Sequence, residues 1–197
     1  PRPAGGATPG LEPAFRLDTS AQGVLDRLAW AEVARAPLAP GEVEIEVEAS
    51  GLNFRDVMWA LGLLPEEALE DGFAGPTLGM ECCGRIVRTG PGATRFAPGE
   101  RVIAFAPAAF ASHVSVSELG CVRVPDGLMA EAAATIPVAF LTSYYALIEL
   151  ARLGQGDTVL IHGGAGGVGL AALQIALNAG ATVLTTAGSP EKRALLR

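Results

Sequence analysis

The stretch Thr158-Val-Leu-Ile-His-Gly-Gly-Ala-Gly-Gly-Val-Gly169 restricts the fold of this chain more than any other. A short apolar run, 158–161, enters a segment with five glycines in seven positions. An amphipathic Ala/Leu/Ile-rich segment follows, and a second apolar run, 181–185, arrives after it. This order predicts a strand over 158–161, a helix from about 168 to 179, a strand over 181–185 and another helix over 190–196. Such a β-α-β-α order is the beginning of a parallel sheet. In that context Gly164, Gly166 and Gly167 let backbone amides approach a diphosphate, and Gly169 lets the helix pack against the strand. The helix amino terminus then faces the anion. Gly163, Gly164, Ala165, Gly166, Gly167, Val168 and Gly169 are therefore the candidate dinucleotide cradle. The alternative is a glycine-rich strand-to-helix turn with no ligand.

The end of the second strand speaks to which dinucleotide. A site selective for NAD places Asp or Glu there to hold the ribose 2′-hydroxyl. Here the residues are Thr185-Thr-Ala-Gly-Ser189, without a carboxylate, followed by Pro190-Glu-Lys-Arg193. A neutral turn followed by Lys192 and Arg193 suits the extra 2′-phosphate of NADPH, to which Ser189 can donate a hydrogen bond. The alternative is that Lys192 and Arg193 only decorate an exposed helix start.

Upstream, the pattern is different. Residues 1–13 are rich in Pro, Gly and Ala and read as a linker. A strand and hairpin are expected around Phe15 to Trp30. From Glu42 to Ala49 the sequence alternates strictly, with Val43, Ile45, Val47 and Ala49 on one face and Glu42, Glu44, Glu46 and Glu48 on the other. That predicts a half-buried strand with a solvated acidic face. Asn53 to Leu61 reads as a loop turning into a helix that ends at Leu63-Leu64-Pro65. Further strands are expected over 79–87, 101–105, 110–116 and 121–124, a barrel-like series of short strands. Helical segments are expected at 130–135 and 142–150, with a turn at Pro137, and a domain boundary near 127–136.

Composition excludes some classes. The net charge of −7, with scattered basic residues, argues against a nucleic-acid-binding surface. Cys82, Cys83 and Cys121 are too few for a disulfide framework, and adjacent Cys82 and Cys83 point opposite ways on a strand. They read as buried small hydrophobes in a reducing compartment. No signal peptide or lipidation motif is seen, and no uncharged apolar run of membrane-spanning length is expected. The expectation is a soluble, cytoplasmic protein with no membrane partner.

Several motifs together resemble one family. They are Gly51-Leu-Asn-Phe-Arg-Asp-Val-Met58, Leu78-Gly-Met-Glu81, Phe96-Ala-Pro-Gly-Glu-Arg-Val102, Ile136-Pro-Val-Ala-Phe-Leu-Thr-Ser-Tyr-Tyr-Ala146, the glycine turn, and Gly188-Ser-Pro-Glu-Lys-Arg193. Nearly everything after residue 13 is similar to the medium-chain dehydrogenase/reductase superfamily. Within it, the chain resembles the enoyl reductase domains of polyketide synthases and animal-type fatty acid synthases. The resemblance implies an α/β protein with a β-rich part: a GroES-like β-barrel substrate domain over 14–130, then the first half of a Rossmann-type nucleotide-binding domain over 131–197. The implied activity is hydride transfer from NADPH to the β-carbon of an enoyl thioester on an acyl carrier protein, among neighbouring synthase domains, followed by protonation of the α-carbon. Zinc members of the superfamily carry a Cys and a His where this chain has Asn53 and Met80. Neither is a normal zinc ligand, so no metal is expected. Leu63-Leu64-Pro65 stands where many modular enoyl reductases have a Tyr linked to α-carbon protonation. The Lys and Asp usually proposed as proton donors are expected beyond Arg197, so no catalytic residue is assigned.

Other residues carry paired readings. Arg55 and Asp56 orient substrate or nicotinamide, or form a salt-bridged loop anchor. Asn53 bonds cofactor or thioester, or caps a helix. Thr142 stands where the resemblance implies a hydroxyl near the nicotinamide, or caps a helix. His113 reads as a structural strand residue, His162 as orienting the glycine turn, Tyr144 and Tyr145 as packing, and Trp59 and Met80 as core or cleft wall. The rival readings of the whole are a free-standing quinone or enone reductase of the same superfamily and an inactive fragment needing a second segment.

Overall fold

The structure, a computed structural model, describes residue 8, residues 10–65 and residues 72–197. Most of the expected linker therefore lies outside the described residues. The chain divides into two compact units, Pro1–Pro137 and Val138–Arg197.

In the first unit, β3 (Glu42–Ser50), β4 (Glu81–Thr89), β5 (Arg101–Phe105), β6 (His113–Ser117) and β7 (Cys121–Arg123) form one antiparallel sheet in the order β6-β3-β4-β5-β7. A separate hairpin, β1 (Ala14–Thr19) with β2 (Leu28–Val33), is tied to the segment before β6. There the Leu17 N–H donates to the Phe110 carbonyl and the Ser112 N–H to the Phe15 carbonyl, both at 2.8 Å. Alternation builds the core, because period-two side chains share a face. Ile45 pairs with Ile86 on one side and Val114 on the other, and all three are buried. Cys82 joins this core, while Cys83, its neighbour, points to a second cluster with Ile103, Ala133 and Ala134.

One expectation for β3 fails. Its acidic row is not uniformly solvated: Glu44 is 2% exposed. Arg35 reaches its Oε2 at 2.5 Å and Arg88 reaches the same oxygen at 2.6 Å and Oε1 at 2.7 Å. Two guanidiniums, one from the segment before β3 and one from β4, compensate the carboxylate that alternation alone would have placed in water. Glu46 and Glu48 are exposed as expected.

Helix α1 (Phe54–Ala60) follows β3, and α2 (Ala130–Ala133) packs on β3 and β4. Pro137 makes no turn. It is the second residue of α3 (Ile136–Tyr144), where its missing N–H removes no helical bond, and a π-helical turn, Tyr145–Leu150, continues the run. Ala130–Leu150 is thereby a helical stretch of 21 residues with mean hydropathy 1.4, long and apolar enough to cross a membrane by length and composition alone. Glu131 and Glu149 lie within it, and the uncharged run between them, 132–148, is 17 residues long. Within the stretch, Ala133 and Ala134 are built into the core of the first unit.

In the second unit, β8 (Thr158–Ile161) and β9 (Thr182–Thr185) pair in parallel, Thr158 opposite Thr182 through Ile161 opposite Thr185. Helix α4 (Gly167–Asn178) is the crossover, and α5 (Pro190–Leu195) follows β9. Ile161, Ala172 and Ala176 are buried with Leu147, Leu153, Val159, Leu173 and Val183 against them. This places the carboxyl ends of both strands, and the glycine turn, at one edge of the pair.

Candidate nucleotide-binding site

The turn from β8 into α4 is held by backbone bonds. The Gly166 N–H donates to the Gly163 carbonyl at 2.9 Å, the Gly164 N–H to the Thr186 carbonyl at 3.0 Å, and the Thr186 N–H to the Ile161 carbonyl at 3.1 Å. Gly163 has φ +66°, a region in which other residues are strained. Its N–H also donates to Thr186 Oγ1 at 3.2 Å.

The glycines divide into two kinds. A β-carbon on Gly164 would overlap the Thr185 hydroxyl, and one on Gly169 would overlap the Gly163 carbonyl and come within 2.7 Å of the Gly164 Cα. These two are required by packing. Gly163 and Gly167 face open space instead, with nothing within 4 Å. The first-turn N–H groups of α4, at Gly167, Val168 and Gly169, have no intrahelical acceptor by the geometry of a helix start. Open approach beside unspent donors and the positive end of a helix dipole is the chemistry that a diphosphate requires, so these residues fit a dinucleotide.

Past β9, Ser189 caps α5, its Oγ accepting the Lys192 N–H at 3.3 Å. The Ser189 hydroxyl and the Glu191 backbone N–H hold the Glu191 carboxyl below its ordinary range. Arg193 Nη1 donates to the Ala187 carbonyl at 3.1 Å. Thr185, Thr186, Ala187, Arg193, Leu196 and Arg197 line a surface pocket of about 350 Å³. Ser189, Lys192 and Arg193 are thus brought together on one short segment, with a carboxylate among them.

Thr142 is exposed on α3. The residue after it, Ser143, is 2% exposed, and its hydroxyl lies 2.8 Å from the Ala139 carbonyl and 3.1 Å from the Val168 carbonyl. Ser143 thereby ties α3 to the first turn of α4, a role the sequence reading missed. A small polar residue inside an apolar helical run was the available signal.

In the first unit, Asn53 stands just before α1. Its N–H donates to Asp56 Oδ2 at 2.9 Å, and its amide Nδ2 donates to Glu81 Oε1 at 2.8 Å. Asp56, 1% exposed, also accepts the Gly79 N–H at 2.8 Å. Arg55 does not pair with Asp56. Its guanidinium donates to the Thr77 carbonyl at 2.8 Å and to the Gly75 carbonyl, so the loop anchor is made to carbonyls, not to a carboxylate. Among the described residues, no three His, Cys, Asp or Glu side chains gather in a way that could hold a metal ion.

The remaining singled-out residues sort by burial. His113 is half-buried beside Ser112, its Nδ1 at 3.1 Å from Oγ, and burial followed by the Arg35 charge pushes its pKa down. His162 Nδ1 lies 3.2 Å from Thr186 Oγ1, against the turn as expected. Trp59 is core, with Ala60 and Leu78. Tyr144 and Tyr145 are not packed inside: they are 48% and 60% exposed. Cys82 and Cys121 are buried and their thiols are pushed up to about 12, chiefly by burial.

With this geometry, residues 39–143 match the family described as Alcohol dehydrogenase GroES-like domain. The chain belongs to that family. It is 44% identical over 184 residues to the highly reducing polyketide synthase ZEA2 of Gibberella zeae, covering 92% of this chain and 7% of that protein. The crystal structure of CurK enoyl reductase superposes with a TM-score of 0.86 at 40% identity, over 93% of this chain and 56% of that one. A quinone oxidoreductase of Pseudomonas syringae pv. Tomato DC3000 superposes with a TM-score of 0.76 at 32% identity, over 92% of this chain and 55% of that one. This member of the GroES-like family is thus similar to polyketide synthase enoyl reductases, spans a small part of a synthase, and is about half the length of the solved reductase chains.

Proposed function

We propose that this chain is part of an enoyl reductase of a polyketide synthase, reducing the α,β double bond of an enoyl thioester on an acyl carrier protein with NADPH. The observation that carries the reading is the glycine turn, closed by packing at Gly164 and Gly169 yet open at Gly163 and Gly167 beside the first-turn amides of α4. Its kinship with CurK enoyl reductase supports that choice over quinone reduction.

Residues 163–169 would hold the diphosphate, and Ser189, Lys192 and Arg193 the 2′-phosphate. Bound NADPH would supply a hydride to the β-carbon of the enoyl thioester. Ser143 would keep the α4 amino terminus aimed, and Thr142 would stand beside it. Asn53 and Arg55 are assigned to the reacting end on the resemblance alone, because each is already bonded within its own unit. Residues 14–130 would form the substrate domain and 131–197 the opening of the nucleotide-binding one.

The test pairs binding with turnover. Nicotinamide fluorescence titrations should show NADPH bound more tightly than NADH, and Lys192→Glu should weaken NADPH far more than NADH. Equal loss for both cofactors removes the 2′-phosphate assignment. In the whole reductase, NADPH consumption with a crotonyl carrier protein should exceed that with a free quinone; the reverse order favours the quinone reductase reading.

A further inference from the structure

Phe73 is an aromatic side chain that neither the barrel core nor the glycine turn absorbs. It is half exposed, and its ring stacks on that of Phe105 with centroids 3.9 Å apart and planes 15° from parallel. The segment that carries it is fixed. The Gly75 N–H donates to the Gly72 carbonyl at 3.0 Å, Thr77 Oγ1 donates to the Ala74 carbonyl at 2.6 Å, and Ala74 is buried. Arg55 closes the turn from outside, its guanidinium donating to the Gly75 and Thr77 carbonyls. One face of the Phe73 ring therefore lies on Phe105 and the other is held open, at a hydrophobic cost that an apolar ligand would recover.

Strand pairing tells where the ring stands. Phe105 ends β5 directly opposite Glu81, the first residue of β4, so their side chains share a face of the sheet, with β-carbons about 5 Å apart. Glu81 is 3% exposed, and its Oε1 accepts Asn53 Nδ2 at 2.8 Å. The aromatic pair is therefore about one side chain removed from Asn53, the residue assigned to the reacting end. Leu52 and Phe54, on either side of Asn53, are 71% and 77% exposed. Their backbone is tied down all the same: the Gly51 N–H donates to the Glu81 carbonyl at 3.2 Å, and Asp56 is buried. This end of the sheet thus offers one tethered amide among large apolar side chains left open. That is the make-up of a site for a mostly apolar ligand with a single polar group.

An acyl thioester has the matching make-up, with a carbonyl at one end and hydrocarbon at the other. With its carbonyl end at Asn53, a chain running towards β5 lies along the open face of the stacked pair. A short chain stops before it. We infer that Phe73 is a specificity-determining residue for the acyl group, its open ring face receiving the distal carbons of longer enoyl chains. The inference rests on the reading of the chain as part of an enoyl reductase.

The test measures kcat/KM of the whole reductase at saturating NADPH for crotonyl and trans-octenoyl thioesters of N-acetylcysteamine. It compares wild type, Phe73→Ala and Phe73→Leu, with far-UV circular dichroism to verify folding. Phe73→Gln, which keeps length but is polar, replaces the alanine variant should that one misfold. Loss of an apolar wall against several methylenes should lower the octenoyl value roughly tenfold in the alanine variant, chiefly through KM. Crotonyl ends short of the ring and should change less than about twofold, below the effect of one methylene contact. Leucine, apolar and large enough to cover Phe105, should restore most of the octenoyl value. Equal loss for both thioesters would show that Phe73 only packs on the barrel. A gain for octenoyl would show that the ring blocks the chain, and unchanged values would show a bystander; each of the three overturns the inference. Wild-type reductase that turns over neither thioester removes the enoyl reductase reading, and the inference with it.

Discussion

Gly164 has no room for a β-carbon because the Thr185 hydroxyl stands where it would go, while Gly167, three residues on, faces open space. The same turn therefore holds one glycine for packing and another for access. Gly164→Ala should force β8 and β9 apart locally, lower stability by about 1–3 kcal/mol and weaken both cofactors. Gly167→Ala lies in helical backbone with nothing to strike, so its melting temperature should hold or rise slightly. Its methyl group would nevertheless stand on the side left open for the diphosphate, and affinity for both cofactors should fall. Thermal melts beside cofactor titrations separate the two; an alanine at 167 that binds cofactor normally counts against the cradle.

Glu44 gives a prediction in pH. Burial alone would raise its pKa, but hydrogen bonds and charge from Arg88 and Arg35 outweigh that and hold it at about 2, against an ordinary 4.5. A carboxyl depressed in the folded state adds stability above its unfolded pKa, and that stability is lost as pH falls through the folded one. The contribution, on the order of 3 kcal/mol, should be complete above about pH 5.5 and fade between about pH 4.5 and 2. Glu44→Gln should be less stable than wild type by roughly 3–5 kcal/mol near neutrality, because two guanidiniums lose their counter-charge, and the gap should close in acid. Urea unfolding across that range measures both. A constant gap would mean that the triad does not titrate as the geometry requires.

How far the sequence could be read depended on whether the local pattern decided the outcome. Residues 158–161 and 101–105 became strands at the expected limits, since each is an apolar run bounded by turn residues. Cys82 and Cys83 fell on opposite faces because strand periodicity requires it. Glu44 did not follow the pattern around it, because its two partners come from outside its strand, Arg35 from the segment before β3 and Arg88 from β4, and alternation within β3 carries no sign of either. Pro137 misled for the opposite reason: proline is legible as a breaker only when its place in a helix is known, and here it sits in the first turn. At the candidate site the glycines were legible as a group. Gly169 is legible as a packing position, whereas Gly164 is not, since the Thr185 hydroxyl that excludes its β-carbon lies across the strand pair. Thr186 was passed over for the same reason.

The thiols should be inert. Burial places Cys82 and Cys121 at about 12, and Cys83 is also raised chiefly by burial, so thiolate is scarce at pH 8. A disulfide-exchange reagent should titrate none of the three in native protein and all three in guanidinium. Rapid reaction of one native thiol would show that the barrel opens there.

Ser143 offers the last check, because its effect should not discriminate between cofactors. Its hydroxyl spans from Ala139, one turn back in α3, to Val168 in the first turn of α4, and the side chain is buried. Ser143→Ala removes one small group and leaves two carbonyls that retain helical or solvent partners, so the stability loss should be about 1 kcal/mol. The consequence for binding follows from where the second bond lands. Val168 is one of the three residues whose amides would face the diphosphate, and loosening its carbonyl loosens the aim of that amide turn. NADPH and NADH share the diphosphate and should weaken by similar factors. A loss confined to NADPH would place the Ser143 effect at the 2′-phosphate, on the wrong side of the strand pair for the contact observed.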